Sequence, residues 1–83
     1  MVLRFIGIDP ETGGGNCPAV WLDDARKELV LQGWRADDEM LAHTQRDSPL
    51  PDNEAVIRLP YRMIDIIRKA IDDAEAIDRP QLR

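Results

Sequence analysis

Residues 60–77 read PYRMIDIIRKAIDDAEAI, and this stretch decides the fold. Its apolar residues recur three and four positions apart, which is the spacing of one face of an α-helix. The predicted apolar stripe consists of Met63, Ile64, Ile67, Ala70, Ile71, Ala74 and Ile77. Pro60 suits the start of this helix, because the first turn does not need its missing N–H. We predict one amphipathic helix over about residues 60–77, with a frayed tail over residues 78–83.

Four short segments before this helix are rich in residues that favour β-strands. They predict strands over about residues 2–8, 19–23, 28–35 and 54–59. The second and third are separated by a short polar run, which predicts an antiparallel hairpin. Gly33 lies inside the third segment, where a glycine often marks a bulge.

Short strands followed by one amphipathic helix predict an α+β fold, and 83 residues leave room for a single domain over residues 1–83. We expect a small antiparallel sheet of three to four strands with the C-terminal helix packed on one face. The other face is then left to solvent or to a partner. The strand register is not specified by the sequence pattern, so the face that carries each tryptophan stays open.

The excess negative charge is concentrated in an acidic connector, predicted over residues 36–53. The chain has a net charge of −5. Residues 1–35 hold four basic and five acidic groups, and residues 57–83 hold six and five. Residues 36–56 hold one basic and six acidic groups, so this segment alone has a net charge of −5. Within it, Asp37 is placed to cap a short helix that continues through Thr44.

The composition argues against several classes of function. A net negative charge is unsuited to direct nucleic-acid binding, which depends on phosphate neutralisation by Lys and Arg. One cysteine, Cys17, and one histidine, His43, are too few for a structural zinc site. We therefore expect no catalytic residues, no metal and no cofactor, and we predict that the protein is not an enzyme. The absence of a signal-peptide pattern and of an apolar run of about 20 residues predicts a cytoplasmic protein without membrane association.

Protein binding is the function that the remaining residues favour. An aromatic patch that a thin core does not need is a typical interface anchor, and an acidic segment is suited to dock on a basic partner. The candidate partner-binding residues are Trp21, Trp34, Asp37, Asp38, Glu39, Met40, Leu41 and Tyr61.

Two alternatives stay open beside a partner-binding function. One is a small ligand-binding protein or enzyme that uses Cys17 and the glycine-rich loop Gly13–Gly15, although this loop lacks the Lys-Ser/Thr of a phosphate loop. The other is a homodimer that forms through an open sheet edge.

Several short motifs along the chain carry a resemblance to known proteins. They are Phe5-Ile6-Gly7 with Asp9-Pro10, Gly14-Gly15-Asn16-Cys17-Pro18, Val20-Trp21, Gly33-Trp34 and Arg58-Leu59-Pro60. Together they resemble a group of small uncharacterised actinobacterial proteins that are often encoded beside helix-turn-helix regulators. Gly15-Asn16-Cys17, which enters a strand, is also similar to a short actinobacterial domain of unknown function that accompanies such regulators. With the acidic connector, this resemblance favours an accessory protein that modulates a helix-turn-helix regulator.

Overall fold

The computed structural model describes residues 1–11, 15 and 17–78, and its fold is α+β as predicted. In chain order the elements are β1 (Arg4–Ile8), β2 (Ala19–Asp23), β3 (Glu28–Gln32), β4 (Trp34–Arg35), α1 (Asp38–Thr44), β5 (Ile57–Arg58), a 3₁₀ turn (Tyr61–Met63) and α2 (Ile64–Asp78). β1, β2 and β3 form an antiparallel sheet in that order, and β4 pairs with β5 in a second, two-stranded sheet. Most of the tail that we expected to fray, residues 79–83, lies outside the described residues.

The predicted hairpin is confirmed as β2 and β3. Five residue pairs join the strands without a bulge, from Ala19 opposite Gln32 to Asp23 opposite Glu28. The turn between them is closed by the Asp23 carboxylate, which accepts a hydrogen bond from the Arg26 N–H at 3.1 Å. Lys27 completes the turn with a left-handed backbone, at a φ of 57°.

The core lies between the first sheet and α2. Val20 and Leu22 point from the central strand towards the helix, where they meet Met63 and Ala70. Four partly buried residues surround this cluster: Ile6, Ile66, Ile67 and Ala74. Leu22 is only 1 % exposed, so its burial stabilises the fold by about 2 kcal/mol in transfer free energy.

The predicted apolar stripe of the helix is buried only in part. Met63 and Ala70 are buried, but Ile64, Ile71 and Ile77 stay exposed. The reason is that α2 packs mainly on β1 and β2, so that its flank towards β3 is covered less. The helix also begins later than predicted, since residues 61–63 form a 3₁₀ turn after Pro60.

The prediction of one continuous strand over residues 28–35 was wrong. The strand breaks at Gly33, and Trp34–Arg35 leaves the first sheet to pair with Ile57–Arg58. A Cβ atom on Gly33 would lie 2.6 Å from the carbonyl oxygen of Arg58, so only glycine allows the two backbones to approach this closely. The predicted strand over residues 54–59 is correspondingly shorter, and the first strand begins at Arg4 rather than residue 2.

The segment between β4 and β5 begins and ends at neighbouring positions. We define residues 36–56 as the acidic lobe. The Ala36 N–H donates to the Val56 carbonyl at 3.3 Å and so extends the β4–β5 ladder to the base of the lobe. The short helix within it is confirmed as α1. Its N-cap is Asp37, whose carboxylate accepts from the Met40 N–H at 2.8 Å. No residue of α1 is fully buried, so this lobe has little core of its own.

Candidate protein-interaction surface

A row of three apolar side chains crosses the face of the sheet that α2 does not cover. Strand pairing sets Phe5 opposite Trp21, and Trp21 opposite Val30. The rings of Phe5 and Trp21 lie 6.1 Å apart at 58°, a favourable tilted contact. Phe5 is nevertheless 57 % exposed. We call these three residues the open-face row. Exposed Ile8 lies beside it, on the same face of β1.

The other tryptophan occupies a different environment. Trp34 lies under two guanidinium groups, with the Arg58 and Arg62 carbons 5.5 and 5.8 Å from its ring centroid. Its indole Nε1 is buried and has no hydrogen-bond partner among the described residues. Trp34 is therefore partly covered by two arginine side chains of its own chain.

Arg62 connects Trp34 to a buried carboxylate. Its Nε lies 2.7 Å from Oδ1 of Asp9, and a terminal nitrogen lies 2.7 Å from Oδ2. The Asp9 side chain is fully buried, and its Oδ1 also accepts from the Glu11 N–H at 3.0 Å. The hydrogen bond with Asp9 raises the pKa of Arg62 above its usual value. This pair ties the end of β1 to the beginning of the C-terminal helix.

The remaining predicted partner-binding residues lie on or near short helical segments. Asp38 and Glu39 are exposed in the first turn of α1, while Met40 and Leu41 are half-buried there. Tyr61 begins the 3₁₀ turn and is 88 % exposed. No described hydrogen bond, ion pair or ring contact joins these residues to Trp21, which lies on β2 within the three-stranded sheet.

Carboxylates outside the acidic lobe are largely neutralised by neighbouring cations. Six of them form ion pairs: Asp9 with Arg62, Asp23 with Arg26, Asp24 with Arg4, Asp65 with Arg68, Asp73 with Lys69 and Asp78 with Lys27. The hydrogen bond from Lys69, reinforced by the positive charges of Lys69 and Arg4, lowers the pKa of Asp73. These contacts fix the charges of the sheet and α2 within the fold.

Carboxylates of the acidic lobe have no such partners. Within the part of the chain that the structure describes, no ion pair includes Asp37, Asp38, Glu39, Asp47, Asp52 or Glu54. The lobe therefore presents a negative field to solvent, which is the pattern expected of a surface that attracts a basic partner.

The residues of the enzyme alternative are not assembled by any described contact. Cys17 is half-buried before β2, where its carbonyl accepts a 2.7 Å hydrogen bond from Gln32. His43 lies in the last turn of α1. Gly13 and Gly14 fall outside the described residues. Gly15, which is described, has a φ of 91° and open space around it.

Two further kinds of feature, a metal-ligand cluster and a membrane-spanning helix, are absent from the described residues. No cluster of three or more potential metal ligands occurs among residues 1–11, 15 and 17–78. Over the same residues, neither helix has the length and apolar character needed to cross a bilayer.

Sequence reasoning selected Trp21 but missed the residues around it on the open face of the sheet. These are the exposed Phe5 and Ile8 of β1, and Val30 of β3. Their alternation along β1 and β3 was visible, but the pairing register that aligns them was not. The Asp9–Arg62 contact joins positions 53 residues apart and gives no local signal.

Comparison of the chain with protein-family models, with curated proteins and with solved structures finds no match. The resemblance to regulator-associated proteins therefore stays a prediction. The open-face row and the acidic lobe are the two features of the fold that bear on function.

Proposed function

We propose that this protein is a non-catalytic accessory module that binds another protein through the open face of its sheet. The observation that carries the proposal is the open-face row, in which Phe5 is more than half exposed although it stacks on Trp21. A rigid aromatic pair on a sheet loses little conformational entropy on binding and buries a large apolar area. Such pairs are typical anchors of protein interfaces.

The acidic lobe supports a partner with a basic surface. Its six carboxylates lack ion pairs among the described residues, so a cationic partner does not have to displace an internal cation from them. Negative charge of this kind accelerates encounter with a basic surface and selects against acidic partners. In our proposal the lobe steers the partner, and the open-face row holds it.

Within this class we propose a helix-turn-helix transcriptional regulator as the partner. Such a regulator has a basic surface that contacts DNA phosphates. An acidic lobe competes for that surface, so the accessory module would lower the regulator's affinity for DNA. The sequence resemblance to proteins encoded beside such regulators supports this choice. The protein itself is not proposed to bind nucleic acid.

The experiment is a titration of the purified protein with the helix-turn-helix regulator encoded beside its gene, at low and at high salt. Phe5→Ser removes the exposed ring of the open-face row, and we expect a loss of affinity of about 10-fold or more at both salt concentrations. Ile77→Ser is the matched control, because Ile77 is similarly exposed but lies on α2, on the other side of the sheet. We expect it to bind as the wild type does.

A second variant isolates the acidic lobe. The lobe-neutral variant carries Asp47→Asn, Asp52→Asn and Glu54→Gln, three positions outside the first turn of α1. It should weaken binding at low salt and have little effect at high salt, where surface charges are screened. No association of the wild type at either salt concentration contradicts the regulator as partner. Equal affinities for the wild type and Phe5→Ser contradict the open face as the docking surface.

A further inference from the structure

α2 covers only part of the sheet. Ile66 lies directly against Gly7 of β1, since a Cβ atom there would be 2.9 Å from its side chain. About two turns further along the same flank of α2, the Asp73 carboxylate lies 3.7 Å from a guanidinium nitrogen of Arg4 on β1. The helix therefore sits over β1 and β2, and its opposite flank faces the side of β3.

Large aliphatic side chains remain exposed along that opposite flank. Ile64 and Ile71 lie seven residues apart on α2, roughly half a turn around the helix from Ile66. On β3, Leu29 and Leu31 are the partners of the core residues Leu22 and Val20, so they point to the helix side of the sheet. All four side chains are between 42 % and 47 % exposed. A contiguous apolar surface of this kind marks an interaction site.

The outer edge of β3 also lacks a neighbouring strand. β3 ends the sheet order, and no described element donates a backbone hydrogen bond to this edge. Proteins protect such edges with bulges, prolines or charges. β1, the other edge strand, has a bulge between Phe5 and Gly7, whereas β3 is regular and holds Leu-Val-Leu at its centre. The unprotected edge is therefore the one beside the exposed leucines.

The sequence of β3 is complementary to itself in the antiparallel direction. With Val30 on a two-fold axis, Leu29 lies opposite the partner's Leu31, and Glu28 lies opposite the partner's Gln32. No like charges meet in this register, and a carboxylate faces an amide that has a second N–H besides the one it donates to the Cys17 carbonyl. A two-fold interface requires such self-complementarity, because each side presents the same residues.

The charges of α2 fit the same arrangement. Because α2 runs from Gly7 towards the β2–β3 turn, the two-fold axis sets the two helices antiparallel above the joined sheet. The last turn of α2, as far as Asp78, holds acidic residues and no basic one, although a helix C-terminus favours cations. In the pair, this end lies level with the first turn of the partner's α2, which is the positive end of that helix dipole.

We propose that two copies of this chain pair through the outer edges of β3 and form a continuous six-stranded sheet. At a strand spacing of about 4.8 Å, the two central β2 strands lie about 14 Å apart. The two helices then flank a groove on one face of the joined sheet. Leu29 and Leu31 of both copies line the bottom of this groove, and Ile64 and Ile71 line its sides. The dimer also joins the two open-face rows into one. The pairing does not depend on the proposed function, and its test uses the protein alone.

The experiment is sedimentation equilibrium at several concentrations. We expect the wild type to approach twice the chain mass of 9.5 kDa as concentration rises. Leu31→Lys places an unpaired ammonium in each half of the interface and should raise the dissociation constant by roughly 100-fold or more. Ile8→Lys changes a similarly exposed residue on the bulged edge strand and should leave the dimer intact. Circular dichroism confirms that each variant is folded.

The register is tested by a compensating change and by a cross-link. Leu29→Glu with Leu31→Lys sets a glutamate opposite a lysine at both pairing positions, so the double variant should regain the dimer that Leu31→Lys loses. In a Cys17→Ser background, Val30→Cys on the two-fold axis should form an intermolecular disulfide, and Ile8→Cys should not. A monomer mass at every wild-type concentration overturns the proposal. A dimer that persists in Leu31→Lys, or a double variant that stays monomeric, overturns the β3 interface.

Discussion

Two regions of the molecule differ in whether their carboxylates form ion pairs. One is the acidic lobe, and the other is the scaffold, which we define as β1–β3 with the 3₁₀ turn and α2. In the scaffold, six acids form ion pairs with lysines or arginines, and one of them, Asp9, is fully buried against Arg62. In the lobe, six acids occur within residues 36–56 and none of them forms an ion pair with a described residue. The scaffold also contains the core, while α1 has no fully buried residue. The comparison separates acids that are held by ion pairs within the fold from acids that face solvent without them.

The largest expected difference between the two regions concerns burial. Leu22→Ala removes a side chain that is almost entirely inside the core and should lower the free energy of unfolding by about 2–5 kcal/mol. Leu41→Ala makes the same change at a half-buried position of α1 and should lower it by about 1 kcal/mol or less. Urea unfolding followed by tryptophan fluorescence measures both. Similar losses would show that the lobe shares the core of the scaffold.

The next effect concerns the buried ion pair. Asp9→Asn removes the charge that Arg62 neutralises and should lower the free energy of unfolding by about 2 kcal/mol. Asp65→Asn is the control, since Asp65 is exposed and pairs with Arg68 on the surface of α2. Its effect should stay below about 0.5 kcal/mol. Guanidinium unfolding of both variants checks the difference, and an equal loss would contradict a special role for the buried pair.

A smaller effect is expected at the beginning of α1. Asp37→Ala removes the carboxylate that accepts from the Met40 N–H and should destabilise the helix by about 1 kcal/mol. Asp38→Ala deletes the same charge one position later without removing the cap. Hydrogen exchange of the Met40 and Leu41 amides measures the opening of α1. Exchange should be faster in Asp37→Ala than in Asp38→Ala, and the reverse order would contradict the capping role.

The ion pairs of the scaffold predict a dependence on acid. The pKa of Asp73 is lowered in the folded state, mainly by its hydrogen bond with Lys69. The stabilisation that Asp73 provides is therefore complete at a pH above the pKa of an aspartate in the unfolded chain, about 3.9. It is lost as the pH falls through the lower pKa of the folded state. Asp73→Asn should therefore differ from the wild type at neutral pH and converge with it at a pH well below this unfolded value, as measured by unfolding at a series of pH values. A constant difference down to that pH would contradict this assignment.

The sequence was sufficient for those features that depend on neighbouring residues. The periodicity of α2, the β2–β3 hairpin and the Asp37 cap all result from contacts a few positions apart. Features that depend on distant contacts were missed. The break at Gly33 results from the approach of Arg58, and the exposure of Ile64 and Ile71 depends on which strands the helix covers. The open-face row required the register that places Phe5 beside Trp21.

The central claim is that the acids of the lobe, apart from the Asp37 cap, are not needed for folding, whereas the buried acids of the scaffold, such as Asp9, are. Its most direct test is the free energy of unfolding of the lobe-neutral variant, compared with a scaffold variant that loses three charges at Asp9, Asp23 and Asp24 through Asn substitutions. We predict that the lobe-neutral variant stays within about 0.5 kcal/mol of the wild type and that the scaffold variant loses at least about 2 kcal/mol. A lobe-neutral variant that loses as much as the scaffold variant would contradict the account.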